Sequence, residues 1–201
     1  PGDARGIFMK PDRKTYEINI AGLIRELPIV QVTDNMAIAS FVLLGDSQLV
    51  LKAAAELLPR LPEVDYLITA EAKGIPLAMG VAKLFDRPLV VVRKESKMTE
   101  GSVVTINYIS GSSKRIQTMS LAKRAVSEGQ KTIIIDDFIA GGGTVRAIFE
   151  MMKEFSITVL GCGAAISTRQ PERKRIENYK SLMTLEEVNE EAQKLVFTSN
   201  I

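Results

Sequence analysis

One stretch constrains this chain more than any other: Thr132-Ile133-Ile134-Ile135-Asp136-Asp137-Phe138-Ile139-Ala140-Gly141-Gly142-Gly143-Thr144-Val145-Arg146. Its β-branched start reads as a strand buried on both faces of a parallel sheet. The adjacent acids fall at the C-terminal end of that strand, the edge where open α/β sheets bind ligands. Three glycines then let backbone N–H groups turn toward an anion. Val145, Ile148, Phe149 and Met152 follow at i, i+3, i+4 and i+7, a helix that offers its positive end to the same anion. Acids suited to hydroxyls beside a nest suited to a phosphate describe a sugar-phosphate site. An ordinary strand–turn–helix would explain the glycines but neither the paired acids nor the closing Thr144. A dinucleotide fingerprint fails because Arg146 stands where its third glycine belongs, and a Walker A loop fails because no Gly-Lys-Ser/Thr follows.

Absent residue types narrow the chemistry. The chain has 201 residues and no histidine, which excludes histidine-based triads, metal sites and general bases. A metal would need oxygen ligands, which points to Mg²⁺. The single cysteine, Cys162, forbids an internal disulfide and reads as a buried thiol on a strand. Apolar content of 46% and charge content of 25% are those of an ordinary globular domain. No apolar run is long enough for a membrane helix, and no basic-then-apolar leader opens the chain, so the expected location is cytoplasmic. Net charge is only +2, but residues 91–130 carry seven basic side chains against three acidic ones, a local excess of four. That excess suits a small phosphorylated ligand or a solvated basic surface equally well.

Residues 1–45 read as an irregular N-terminal section with short strands at 27–32 and 37–44. A helix is expected over 48–58, capped by Asp46 or Ser47 and ended by Pro59. Strand 64–70, turn Glu71-Ala72-Lys73-Gly74, helix 75–85 and strand 89–93 form a parallel strand–helix–strand unit with a right-handed crossover. Val103 to Ile109 and Ile116 to Met119 flank a polar turn and read as a β-ribbon. A short helix is expected over 121–127 and a strand over 158–166. A charged helix is expected over 171–179, then late strands at 181–184 and 195–198. Asp136 and Asp137 are expected to be exposed.

The Asp136 stretch resembles the PRPP (phosphoribosyl pyrophosphate) motif of type I phosphoribosyltransferases: an apolar strand, two acids, spacers, then a Thr-Gly-Gly-Thr-like loop. Glu71-Ala72-Lys73-Gly74 resembles the pyrophosphate loop of adenine phosphoribosyltransferases, Glu-Ala-Arg/Lys-Gly, although a plain strand–helix turn accounts for the tetrapeptide alone. The resemblance implies an α/β fold, a Rossmann-like, mainly parallel sheet flanked by helices with a flexible β-ribbon hood. It implies residues 1–45 as an N-terminal extension contributing to the hood and 46–201 as the phosphoribosyltransferase-like domain. Asp136 and Asp137 would be catalytic, accepting hydrogen bonds from ribose hydroxyls. Ala140, Gly141, Gly142, Gly143 and Thr144 would cradle the 5-phosphate. Glu71, Ala72, Lys73, Gly74, Arg93 and Lys94 would face pyrophosphate, and Tyr108, Ser112, Ser113, Lys114 and Arg115 would belong to the hood. Mg²⁺ would arrive with PRPP, without direct protein ligands, reaching Asp136 or Asp137 through water.

Within that family, 93–97, 99–102, 106–113, 115–124 and the Asp136 motif look much like the effector domains of Gram-positive purine operon repressors, a likeness covering roughly 40–185. Those domains resemble xanthine and adenine phosphoribosyltransferases but sense PRPP. Two departures from the catalytic pattern stand out. Gly141 replaces a usual Thr, and no acid lies between Gly101 and Ser127, where adenine enzymes carry a hood glutamate. Ala140 stands where six-oxopurine enzymes carry Asp, which places the chain on the adenine/xanthine side. The resemblance implies a cytoplasmic purine phosphoribosyltransferase of purine salvage, binding PRPP and a purine base or nucleotide and pairing as a homodimer. The alternative is a non-catalytic PRPP-binding regulator. The N-terminal section is short and unpatterned for a winged helix, so neither direct nucleic-acid binding nor membrane contact is expected.

Overall fold

The computed structural model describes residues 15–33, 36–95, 101–109, 116–169, 174–189 and 194–200. An antiparallel three-stranded sheet comes first, β1 (Thr15–Ile20), β2 (Leu23–Thr33) and β3 (Met36–Ala39). β1 and β2 form a hairpin whose turn, Ala21-Gly22, takes φ of 51° and 72°. Positive φ at both turn positions gives the twist that matches the flanking strands. This hairpin corrects the expectation of an irregular section. Ala-Gly is a weaker turn signal than Asn-Gly or Asp-Gly, and its strands show their alternation only once Ile18 and Ile20 are seen facing the core. β3 stops at Ala39, so Phe41 and Leu43 reach the core from an irregular segment rather than from the expected strand.

α1 (Ser47–Leu57) follows, with Asp46 as its cap. Leu49 N–H donates to Asp46 Oδ1 at 2.9 Å, and Arg25 Nε donates to Asp46 Oδ2 at 2.5 Å, which ties the hairpin to the helix. β4 (Tyr66–Ala70), α2 (Ile75–Phe85) and β5 (Leu89–Val92) form the expected parallel unit, with Leu67 opposite Leu89. The ribbon β6 (Val103–Ile109) and β7 (Ile116–Ala122) is fastened to the end of β5 by two backbone bonds, Arg93 N–H to Ser120 O at 3.0 Å and Ser120 N–H to Arg93 O at 2.7 Å. β8 (Lys131–Ile139), α3 (Gly143–Glu154), β9 (Thr158–Thr168), β10 (Tyr179–Asn189) and β11 (Lys194–Ser199) complete the chain.

The main sheet has the order β11-β10-β9-β8-β4-β5, parallel throughout except at the β10–β11 edge pair. Both faces are covered, which is why the run Ile133–Ile135 needs no polar alternation: these residues are 2% exposed or less. Ala53, Leu57, Leu77 and Val81 of α1 and α2, with Ile18 and Ile20 of the N-terminal sheet, cover one face. Val145, Ile148 and Met152 of α3, with Met119 and Leu121 of the ribbon, cover the other. Among the described residues no helix is long and apolar enough to cross a membrane.

Two expected helices are not formed. β7 runs on through Ala122, burying Met119 and Leu121, and only a 3₁₀ turn at Lys123–Ala125 follows it. Of the expected helix over 171–179, residues 174–178 are irregular and Tyr179 opens β10. β10 runs parallel to β9 with Tyr179 opposite Cys162, so the chain must travel back along β9 from Thr168 in that short span. Within 174–178 the backbone bonds to other segments instead of to itself: Arg175 N–H donates to Gly141 O and Asn178 O accepts from Cys162 N–H, both at 3.1 Å. The late strands are longer than expected, because β9 and the edge pairing extend them.

Candidate functional site

The parallel order sends β4, β8 and β9 out of the same edge of the sheet, so the loops that follow them meet. Asp136 and Asp137 lie at this edge on β8, with Asp136 opposite Ala164 of β9. They are not exposed as expected: Asp137 is 6% accessible and Asp136 is half-buried. Asp137 N–H donates to Asp136 Oδ1 at 2.9 Å. Burial pushes both carboxyl groups up, and the charge of Asp137 pushes Asp136 further, well above the usual carboxylate range. The charge of the Lys73 ammonium opposes the shift in both.

The 71–74 loop is pressed onto these acids. A methyl carbon at Gly74 would stand 2.5 Å from Thr69 Oγ1, 2.9 Å from Asp136 Oδ1 and 3.2 Å from Asp136 Cα, so only glycine fits. Glu71 fixes the other end of the loop: its N–H donates to Val92 O at 2.9 Å, and its Oε2 accepts from Lys94 N–H at 3.1 Å. The two groups expected to face pyrophosphate, 71–74 and Arg93-Lys94, are therefore adjacent, with Ala72, Lys73 and Lys94 exposed.

The glycine triplet divides into two jobs. Gly142 has φ of 76°, and a methyl carbon there would stand 3.0 Å from Ile176 Cγ1, so the fold itself requires this glycine. Gly141 has an ordinary φ and nothing within 4 Å of where its Cβ would be. α3 starts at Gly143 with no side-chain cap, which leaves the N–H groups of its first turn for a ligand. Ala140 is exposed and Gly143 and Thr144 are half-buried beside it. Tyr108 of β6 meets this loop. Its hydroxyl donates to Gln117 Oε1 at 2.9 Å. Burial pushes its phenol up, the Asp136 charge adds to that, and a hydrogen bond with the Thr144 side chain opposes it. Ser112, Ser113, Lys114 and Arg115 lie outside the described residues.

Two parts of this edge were invisible to sequence reasoning. The first is the wall built by Lys174, Arg175 and Ile176. Arg175 N–H donates to Gly141 O at 3.1 Å, and Ile176, 8% exposed, packs on Gly142. Lys174 Nζ donates to Thr168 Oγ1 at 3.3 Å and lies 5.9 Å from the Tyr179 ring centroid; burial pushes its pKa down. The basic cluster directly after a strand end was the available signal, and the helical spacing of 171–179 hid it. The second is Thr69, buried beneath Gly74.

Chemically, this edge offers hydrogen-bond acceptors for vicinal hydroxyls, an N–H nest for a phosphate, and cations beside a second loop. Among the described residues no group of three or more acids and cysteines is placed to hold a metal ion. Two carboxylates suit Mg²⁺ when a phosphorylated ligand brings further oxygens, so the donor set fits a metal carried in by its ligand.

Comparison with known proteins is consistent with this arrangement. A family model described as phosphoribosyl transferase domain matches residues 44–196. The purine biosynthesis transcriptional repressor PurR of Bacillus subtilis (strain 168) is 46% identical over 127 residues, which is 63% of this chain and 45% of the repressor. A hypoxanthine/guanine phosphoribosyltransferase of Methanocaldococcus infernus is 41% identical over 91 residues, 45% of this chain and 47% of the enzyme. The chain thus spans about half the length of the curated relatives it matches. The crystal structure of adenine phosphoribosyltransferase from Thermoanaerobacter pseudethanolicus superposes with a TM-score of 0.66 at 20% identity, covering 79% of this chain and 95% of that one. The Saccharomyces cerevisiae enzyme, complexed with an imino-altritol bisphosphate and adenine, gives a TM-score of 0.62 at 21% identity, covering 77% and 92%. At these identities the structural likeness establishes the fold.

Proposed function

This chain belongs to the phosphoribosyl transferase domain family, and from that premise we propose that its β4–β8–β9 edge binds PRPP and that the protein transfers the phosphoribosyl group to a purine base of the adenine or xanthine type, releasing pyrophosphate. Asp136 and Asp137 accept hydrogen bonds from the ribose hydroxyls. The N–H groups of 140–144 and the Thr144 hydroxyl hold the 5-phosphate. Glu71 to Gly74, Arg93 and Lys94 face the pyrophosphate, and the ribbon with Tyr108, Ser112, Ser113, Lys114 and Arg115 covers the reacting centre, excluding water. The bond from ribose C1 to a pyrophosphate oxygen breaks, a purine nitrogen forms the new C1–N bond, and its proton passes to the leaving pyrophosphate or to water. The acid pair stabilises positive charge developing on the ribose ring. Asp136 or Asp137 would hold, through water, a Mg²⁺ brought in with the ligand, and that ion would supply charge neutralisation for the leaving pyrophosphate. In this reading residues 1–45 are an extension contributing to the hood, 46–201 form the transferase-like domain, and the protein works in the cytoplasm as a homodimer.

The observation that carries the proposal is the acid pair at the end of β8, with Asp137 buried and Asp136 pressed upon by Gly74 of the 71–74 loop. A second reading is favoured by two specific observations. No acid lies between Gly101 and Ser127 to act from the ribbon, and the 46% identity is to a transcriptional regulator. In that reading the same site binds PRPP as a signal, and no transfer follows. Calorimetry with PRPP and Mg²⁺ tests the shared claim. A pyrophosphate-release assay with each purine base separates the two: release identifies the enzyme, and binding without release identifies the sensor.

A further inference from the structure

Thr69 is the penultimate residue of β4 and is fully buried. Its hydroxyl has no hydrogen-bond partner among the described residues. A buried hydroxyl without a partner is destabilising, and valine has the same shape without the oxygen. Packing alone would therefore favour valine, and the neighbours of the hydroxyl indicate what it serves. The point 2.5 Å from Thr69 Oγ1 at which a Gly74 methyl would stand is also 2.9 Å from Asp136 Oδ1. The hydroxyl thus lies against the underside of the 71–74 loop, on the side of the acid pair. Asp136 is already held from one direction, because Oδ1 accepts from Asp137 N–H. From the direction of β4, the Thr69 hydroxyl and Asp136 Oδ1 both border the space that a side chain at Gly74 would fill.

We propose that Thr69 is a positioning residue for the ribose site: when phosphates draw the 71–74 loop outward, the Thr69 hydroxyl donates to the Asp136 carboxylate and fixes it for a ribose hydroxyl. This role rests on the PRPP-binding site proposed above and adds to it a residue that touches no ligand. It gives an acceptor to a buried hydroxyl that has none among the described residues. The loop is anchored at Glu71 by Val92 and Lys94 and at Gly74 by the bond from Ala78 N–H to Gly74 O at 2.9 Å, which leaves the exposed Ala72 and Lys73 between the anchors to meet the phosphates.

The test compares Thr69→Val and Thr69→Ser with the unaltered protein, using thermal denaturation without ligand and calorimetry with PRPP and Mg²⁺. Thr69→Val is expected to melt at the same temperature or higher, yet to bind PRPP about tenfold or more weakly, the size of one hydrogen bond to a charged group. Thr69→Ser is expected to keep near-normal affinity. A purely structural hydroxyl gives the opposite pattern, a lower melting temperature with unchanged affinity, and that result overturns the role. Unchanged affinity in Thr69→Val while the unaltered protein binds PRPP overturns Thr69 alone. Absence of PRPP binding in the unaltered protein overturns both Thr69 and the site.

Discussion

Replacing Gly141 and Gly142 separately by alanine splits the glycine triplet into its structural and ligand-facing parts. At Gly142 the backbone is left-handed, with φ of 76°, and an added methyl meets Ile176 Cγ1 at 3.0 Å and Cγ2 at 3.3 Å. The left-handed conformation costs an L residue about 1–2 kcal/mol. The crowding against Ile176 adds to this, because Ile176 is 8% exposed and has little room to yield. A total of about 2 kcal/mol lowers the melting temperature of a chain this size by roughly 4–8 °C. At Gly141 the φ is ordinary and the added methyl touches nothing within 4 Å, so stability should change by no more than about 0.5 kcal/mol. Yet that empty space is where a 5-phosphate would approach the backbone, so PRPP binding to Gly141→Ala should weaken by about tenfold or more, the loss of one charge-assisted hydrogen bond. Differential scanning calorimetry and isothermal titration with PRPP and Mg²⁺ measure the two quantities. Unchanged PRPP affinity in Gly141→Ala, with the unaltered protein binding, would refute the phosphate-nest assignment. An unshifted melting temperature in Gly142→Ala would refute the loop geometry.

The remaining expectations concern the acids and the loop composition. Asp136→Asn with Asp137→Asn removes two charge-assisted bonds of about 1.5–3 kcal/mol each, so PRPP affinity measured by calorimetry should fall by two or more orders of magnitude. The same double variant tests linkage. Burial raises both folded-state pKa values, so the contribution of the pair is fully present below the unfolded carboxyl pKa and is lost as pH rises through the folded values. Melting temperatures of the ligand-free protein from pH 4 to 8 should show that decline, and the double variant should flatten it. Gly141→Thr puts the same Cβ in the open space as Gly141→Ala but adds a hydroxyl able to donate to a phosphate, so its PRPP affinity should lie above that of Gly141→Ala in the same titration. Glu186 accepts from Arg169 and from Thr198 Oγ1, the latter at 2.6 Å, and is pulled down to about 2. Its carboxylate should therefore stay ionised at pH 3 in an NMR titration, its stabilising effect lost only as pH falls through about 2; a midpoint near 4.5 would refute the pairing.

Local chemistry made much of this protein legible before any coordinates. The run Thr132–Ile135 could only be a strand covered on both faces. Asp46 could cap α1, Pro76 could open α2, and the order of apolar run, acids, glycines and Thr144 marked the strand–loop–helix unit of β8 and α3. Each of these signals lies within a few neighbouring residues, where propensity, capping and period act directly. What lay beyond reach depended on parts of the chain that only the parallel register brings together. Nothing near Glu71 says that Gly74 will press on Asp136, which is brought there by the pairing of β4 with β8. Nothing near Asp137 says that it will be buried rather than exposed, because that follows from the place of β8 between β9 and β4 inside the sheet. The same holds for Tyr108 against Thr144 and for Ile176 against Gly142, where the ribbon and the β9–β10 crossover close on the glycine loop. Burial, and with it the raised pKa of the acid pair, is a property of assembled surfaces, so sequence order named the chemical groups while tertiary packing set their environment.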